Sequence, residues 1–474
     1  MPCVGARVNS ELAGAGVVIR IENGGRDWIV VFDKIPRVPY RLGARYLRVL
    51  SRPAEPPGAS GPAPATKSMA APVAKAKSSS RTKAPNDPIQ TRQCIEAIRM
   101  GVVPTGGLDR VTVGRDAELA SLDDMLDDAR GLRVLCGNYG TGKSHLIEVV
   151  ESRARAGNLL VARASFDPEE LPPSHPMRLY EALVASLSYP DDSRSGLRPL
   201  LDRLVDRLGP NAHRLVPVNR WLSPALWARG NGVSEELLHE AIAYASGEPY
   251  WPGDLEADLA RAGWRGEHLL ILSDYRTYGQ IMANLLGALA TWAKAAGYRG
   301  LVVLLDEAEY LDSLGTTSRA MAENVLRFLA VGCLDPSRLA FDPAVVYRGG
   351  HEVHKRTPAC FAPEQPLSVV CALTPHPGIN GVLARITNDA DVILAIDSLG
   401  RGQLATLGDK VIALVQEVYP EWTMPEKDRG ALTLALVTAR DLGHIDSTRD
   451  AARMVVEFCD LHRIDPLRAR RALR

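Results

Sequence analysis

Aromatic side chains are scarce in this sequence: Phe, Trp and Tyr together make up 5% of 474 residues. So few rings offer little for unpaired bases to stack on, and with no RNA-binding aromatic motif present, single-stranded nucleic acid is not an advertised ligand. Long apolar runs are also missing. No stretch reaches about 18 uncharged apolar residues, and the start "MPCVGARVNSELAG" has no basic region followed by an apolar core. Neither a spanning helix nor a signal peptide is therefore expected, no membrane partner either, and the expected location is cytoplasmic. The seven cysteines (Cys3, Cys94, Cys136, Cys333, Cys360, Cys371, Cys459) include no C-x-x-C pair. Several sit in apolar runs, which suits reduced thiols buried as small hydrophobes and argues against a disulfide framework. "HEVHKRTPAC" brings His351, His354 and Cys360 close in sequence, but the spacing fits neither H-E-x-x-H nor a finger, and zinc is not expected.

A net charge is the last absence, with 56 Lys+Arg against 56 Asp+Glu, and it hides an asymmetry. Residues 1–86 hold 14 Lys+Arg against 5 Asp+Glu, so the front of the chain is electropositive and the remainder acidic. Such a segment can meet the phosphates of duplex DNA or an acidic protein surface, or it can be a solvated basic linker. The C-terminal "HRIDPLRARRALR" clusters Arg463, Arg468, Arg470, Arg471 and Arg474 with the same two readings, a phosphate-contacting tail or basic residues finishing a helix.

What is present divides the chain into parts. Residues 1–51 read as short strands ("GARVNS", "GAGVVIRIE", "DWIVVFD", "YLRVL") separated by turn signals, the pattern of a small SH3-like β-barrel. Its hairpin turns at Asn23-Gly24-Gly25, where glycine supplies positive φ. Residues 52–86 are dominated by Pro, Ala, Ser, Gly and Lys, too poor in large apolar groups to bury a core, and read as a disordered linker. From "DPIQTRQCIEAIRMGVV", where Cys94, Ile95, Ile98 and Val102 fall at helical spacing, order returns. Apolar strands and helices then alternate to about residue 400, which means a parallel α/β sheet covered on both faces, interrupted over about 187–270 by a mostly helical insertion. Residues 401–474 are helical throughout and read as a separate small domain.

Within the α/β part, "LCGNYGTGKSHLIEVVE" places Gly137-x4-Gly142-Lys143-Ser144 between an apolar strand and a helix, the P-loop pattern in its proper context. Glycine lets backbone N–H groups curl around phosphates, so Gly137, Asn138, Tyr139, Gly140, Thr141, Gly142, Lys143, Ser144 and His145 form the candidate nucleotide cradle. Lys143 is placed for the β- and γ-phosphates and Ser144 for Mg²⁺. Further on, "GLVVLLDEAEYL" is an apolar strand that delivers Asp306 and Glu307 to its C-terminal edge, where parallel sheets bind ligands. Asp306 is the expected second Mg²⁺ residue and Glu307 the expected base for an attacking water. The pair makes a hydrolytic nucleoside triphosphatase the sharper reading. A P-loop kinase usually lacks it, and the motif set of a helicase is absent.

"VGRDAEL" before the P-loop, the strand ending in Asp-Glu, "LSVVCALTP" ending in a polar residue, and a helical lid carrying "STRDAARMVVEF" together resemble the AAA+ superfamily, in its initiator branch related to origin-recognition ATPases. More narrowly, "GNYGTGKSHLIEVVESRA", "AAGYRGLVVLLDEAEYL" and "QTRQCIEAIRMGVVP" resemble the ATP-binding proteins of BREX-type phage-resistance systems, over roughly residues 88–470. The resemblance implies ATP and Mg²⁺ as cofactors, an AAA+ core over 87–400 and a lid over 401–474. It implies that Val113, Gly114 and Arg115 pack beside the adenine, that Thr374 senses the γ-phosphate or positions water, and that Arg449 reaches back to the phosphates. A trans-acting arginine finger is also implied, with Arg319, Arg327, Arg356 and Arg385 all open as candidates. The activity implied is an ATP-driven switch or remodelling subunit in phage defence or another DNA transaction, acting as a homo-oligomer or with a helicase or methyltransferase of a defence operon. A non-motor adaptor that holds ATP while docking DNA or a partner is the rival reading.

Overall fold

The computed structural model describes five strands between residues 7 and 51, and residues 88–473 apart from 105, 249–251, 351 and 446. The chain divides into two compact units, Met1–Pro85 and Asn86–Arg474. In the first, β1 (Arg7–Ser10), β2 (Gly14–Glu22), β3 (Asp27–Phe32), β4 (Pro39–Gly43) and β5 (Arg48–Ser51) form one antiparallel sheet in the order β4-β3-β2-β1-β5. The expected hairpin is its centre, with Glu22 paired to Asp27 at the turn end. The linker read over 52–86 lies outside the described residues.

The second unit opens with α1 (Pro88–Arg99) and α2 (Asp116–Asp128), then enters the sheet at β6 (Gly131–Cys136). The P-loop leads into α3 (Lys143–Ala156), followed by β7 (Leu160–Ser165) and α4 (Pro176–Ala185). Between residues 187 and 270 lie α5 (Arg198–Leu208), α6 (Ala212–Leu215), α7 (Ser223–Asn231), α8 (Glu235–Ala245) and α9 (Pro252–Ala262). The long α10 (Gly279–Ala296) then feeds β8 (Leu301–Asp306), after which come α11 (Thr316–Cys333), α12 (Glu352–Arg356), β9 (Leu367–Leu373), α13 (Pro377–Ala384) and β10 (Ile393–Ala395). The tail is α14 (Arg401–Val418), α15 (Glu426–Asp441), α16 (Thr448–Ile464) and α17 (Pro466–Ala472).

All five strands of this unit run parallel, in the order β10-β6-β9-β8-β7. Side chains alternate between the two faces with period two. Val161, Val302, Leu304, Val370 and Ala372 pack with α2 and α3 on one face, while Ala162, Val303, Leu305, Val369 and Cys371 join the insertion helices and α10 on the other. Every residue of β8 and β9 is buried, which explains why both read as unbroken apolar runs. The described cysteines are all free thiols; Cys371 and Cys459, enclosed in apolar surroundings, are each pushed up to about 12 by burial.

Two features position the site. First, β9 lies between the P-loop strand β6 and the acidic strand β8, so all three C-terminal ends open at one sheet edge. Second, α1 does not join the α/β core. Its Cys94, Ile95 and Ile98 are buried among Leu404, Leu407, Val411, Val455 and Cys459 of the C-terminal helices, so that second core is built from both ends of this unit. The helix stops at Arg99, and Val102, which continues the helical spacing in sequence, lies past it with its side chain exposed.

Candidate functional site

The loop after β6 begins by extending the sheet: Gly137 N–H donates to the Leu373 carbonyl of β9 at 3.2 Å. Gly137 has no room for a side chain, since a Cβ there would lie 2.4 Å from the Ile396 carbonyl oxygen. Gly140 and Gly142 sit at φ 75° and 104°, left-handed values that the sharp climb into α3 requires. Lys143, the first residue of α3, is buried and turns its ammonium back over the loop, donating to Gly137 O at 2.8 Å, Asn138 O at 3.2 Å and Thr374 Oγ1 at 3.2 Å.

Across the same cavity, β8 ends at Asp306, which is 7% exposed. Glu307 follows in a left-handed conformation (φ 60°, ψ 34°), a strain of about 1–3 kcal/mol for a residue with a side chain. Its N–H donates to Asp306 Oδ1 at 3.0 Å. Burial, with the like charges of Glu309 and Asp306, holds the Glu307 carboxyl above the usual carboxylate range, and the Lys143 ammonium opposes that rise. Thr374, one residue past β9, joins the two sides: besides accepting from Lys143, its hydroxyl donates to Glu309 Oε1 at 2.5 Å.

The cavity is an open cleft of about 1100 Å³, a volume that includes open solvent. Tyr139 through His145 line it along one side with Asp306, Glu307 and Glu309, while Gly137 and Asn138 contribute only carbonyls behind Lys143. Ser144 and Asp306 both face it, a hydroxyl and a carboxylate that form a hard oxygen donor set suited to Mg²⁺. The opposite end is an apolar slot of Ile98, Val102, Val103, Val111, Val113, Leu399 and Leu407. Val113 and Arg115 thus line the cavity, while Gly114 packs against Gln403 of α14. Arg115 spends its guanidinium on structure: it donates to Thr141 O at 2.8 Å and Asp397 O at 2.6 Å, bracing the loop against the segment after β10. It also occupies the N-cap of α2, without a side-chain cap.

His145 is a half-buried imidazole, its pKa lowered to about 4 by loss of solvent and by the nearby Arg115 charge. Its Nε2 lies 2.7 Å from Thr112 Oγ1, whose own proton goes to the Leu108 carbonyl, so His145 Nε2–H is the donor. From the lid, Thr448 N–H donates to Gly140 O at 3.0 Å, and Arg449 lies on the Tyr139 ring at 5.7 Å with Nη1 3.2 Å from its hydroxyl. Arg449 therefore lines the cavity from the first turn of α16.

Other sequence candidates are not at this site. Arg327 and Arg385 both pair with Glu323, and Arg356 pairs with Glu352. His354 is buried edge-on to Tyr278, Cys360 Sγ donates to Ala362 O, and His351 lies outside the described residues. Among the described residues no group of three His, Cys, Asp or Glu is disposed to hold a metal. In the C-terminal arginine cluster, Arg463 covers Tyr419 and Arg470 grips the buried Asp428. Glu309, Thr112 and Asp397 are site residues that the motifs do not mark. Only Glu309 leaves a trace in sequence, as the second acid in "DEAE".

No described helix is long and apolar enough to cross a membrane. No curated protein matches the chain. Residues 87–214 match the family model described as BREX system ATP-binding protein BrxC/D. In the stretch that carries the P-loop, the chain is thus similar to the ATP-binding proteins BrxC/D of the BREX system, the family its motifs resemble.

Proposed function

We propose that this protein binds and hydrolyses ATP with Mg²⁺ as an AAA+ switch or remodelling subunit of a phage-defence system. The observation that carries the reading is that Lys143 and the Asp306-Glu307 pair, drawn from two different strand ends, line one cavity beside the P-loop, with Thr374 from a third strand end hydrogen-bonded behind them to Lys143 and Glu309. A buried ammonium facing a buried carboxyl suits a reaction in which phosphate charge must be held while water is activated.

In this reading Lys143 turns from the loop carbonyls to the β- and γ-phosphates, and the N–H groups at the start of α3 receive the same anion. Ser144 and Asp306 would hold Mg²⁺, which neutralises charge on the phosphates. Glu307 takes the proton of the attacking water at its carboxylate. Its left-handed backbone aims the side chain into the cavity instead of along the sheet. The apolar slot receives the base, and Arg449 and Thr448 on α16 make the lid respond to what the loop holds. The amino-terminal strands, as an SH3-like barrel on a basic linker, would recruit duplex DNA or a partner protein.

Lys143→Ala should abolish nucleotide binding, whereas Glu307→Gln should keep binding and trap the ATP-bound protein. Equal ATP turnover by wild type and Glu307→Gln would remove Glu307 from the role of base.

A further inference from the structure

Thr374 has a single proton and already has a place for it. Its hydroxyl donates to Glu309 Oε1 at 2.5 Å, and its lone pairs face Lys143 Nζ at 3.2 Å. It therefore acts as an acceptor toward the P-loop lysine and a donor only toward Glu309. The other oxygen of that carboxylate, Oε2, is buried and has no hydrogen-bond partner among the described residues. Taking away the Thr374 proton would leave a half-buried carboxylate, with one oxygen fully enclosed, short of the Thr374 donor, and removing one partner of a partly buried charged hydrogen bond is costly.

We propose that Glu309 is a positioning residue that competes with the γ-phosphate for the Thr374 hydroxyl, and so sets how strongly the site prefers ATP over ADP. The proposal rests on the ATPase reading above. A γ-phosphate oxygen that draws the Thr374 proton must displace Glu309, and one that draws Lys143 Nζ removes the donor facing the Thr374 lone pairs. A β-phosphate can draw Lys143 as well, but only a third phosphate competes for the Thr374 proton, so the hydroxyl turns from Glu309 for a triphosphate and keeps its bond to Glu309 for a diphosphate. Glu309 is the spring against which that reorientation works. Glu309 bonds Thr374 and its charge also bears on Glu307, so release of Thr374 changes the charge environment of the base at the moment the phosphate is engaged.

Nucleotide binding by the full chain tests this, with a non-hydrolysable ATP analogue and ADP measured side by side by calorimetry in the presence of Mg²⁺. Glu309→Ala should raise the preference for the ATP analogue over ADP on the order of ten-fold, because the competing acceptor is gone. Glu309→Gln, which keeps shape and a weaker acceptor, should shift the ratio the same way by less. In a Thr374→Val background both substitutions should leave the ratio where Thr374→Val alone puts it. A ratio unchanged by Glu309→Ala overturns the proposal, and so does an equal rise with and without the Thr374 hydroxyl, which would assign the effect to bulk charge. A general folding defect would weaken both nucleotides together and leave the ratio alone, which also counts against it. Failure of the ATPase reading looks different: wild type would bind neither nucleotide, or Lys143→Ala would bind both as wild type does.

Discussion

Gly140→Ala and Gly142→Ala form a matched pair that isolates the contact between the P-loop and the lid. Both glycines have positive φ, so an alanine at either position costs about 1–2 kcal/mol of backbone strain. They differ in what the new methyl meets. At Gly142 nothing lies within 4 Å, while at Gly140 a Cβ would sit 2.1 Å from Ser447 Cβ and 3.2 Å from Ser447 Cα. Ser447 is the N-cap of α16, and its Oγ accepts from the Asp450 N–H, so it cannot swing aside without fraying the helix start. Relief therefore comes from the lid moving off the loop, at the loss of the Thr448 N–H to Gly140 O bond. Overpacking of this kind costs about 1–3 kcal/mol. Taking about 2 kcal/mol as the excess of Gly140→Ala over Gly142→Ala, opening at the start of α16 becomes about 30-fold more populated. Hydrogen exchange over the peptide that begins α16 reads this directly, and adding Ser447→Gly to Gly140→Ala should restore much of the protection. Equal exchange in the two alanine variants would refute the docked lid.

The acidic limb of the ATPase pH profile should lie above the ordinary carboxylate range, because Glu307 must be ionised to act and its carboxyl is held high by burial and by its acidic neighbours. Glu309→Gln removes a like charge, favours the Glu307 anion and should move that limb to lower pH; a shift upward would contradict the assignment. In the lid, Asp428 is buried against His462 at 3.0 Å and Arg470 at 2.8 Å, and the Arg470 bond in particular lowers it to about 2. A carboxylate held low in the folded state stabilises above its unfolded value, and that contribution fades as pH falls from about 4 toward 2. Asp428→Asn should therefore lower stability by about 2 kcal/mol at neutral pH, and the gap to wild type should narrow in acid melts. Arg115→Ala should loosen the loop's seat on the segment after β10 and weaken nucleotide binding several-fold while Lys143 stays in place, measured by the same titration.

Sequence made the chemistry of the loop and of the Asp306-Glu307 strand readable because both depend on local rules: glycine where φ must be positive, an apolar run where a strand is buried on both faces. The order of the sheet was not readable, since parallel strands pair across long connections whose lengths carry no register. Nothing in "LSVVCALTP" says that its strand lies between the other two, yet that placement is what brings Thr374 within reach of both Lys143 and Glu309. The partner of α1 was equally hidden: its apolar stripe states that it packs, but its partners lie more than 300 residues away in the lid. Val102 shows the reverse error, a residue at helical spacing whose chain has already left the helix to wall the cavity.

The contacts around the loop also explain how a small ligand could move a domain. Gly137 and Asn138 carbonyls hold Lys143, the Thr141 carbonyl holds Arg115, and the Gly140 carbonyl holds the lid at Thr448. One side of this short loop thus accepts bonds from Lys143, from Arg115 and from α16, while its N–H groups are the ones a phosphate would use. A second route starts at His145 in the same helix turn. Its imidazole holds Thr112, and the Thr112 carbonyl takes Lys410 Nζ of α14 at 2.7 Å. Because Nε2 carries its proton in both the neutral and the charged imidazole, that hydrogen-bonded link does not depend on the titration of His145. Any shift of the loop toward phosphate is therefore felt by two separate helices of the lid, and α1, packed into the same lid core, must move with them. The lever that the proposed ATPase would need is available in these backbone carbonyls, the one set of groups that no sequence motif records.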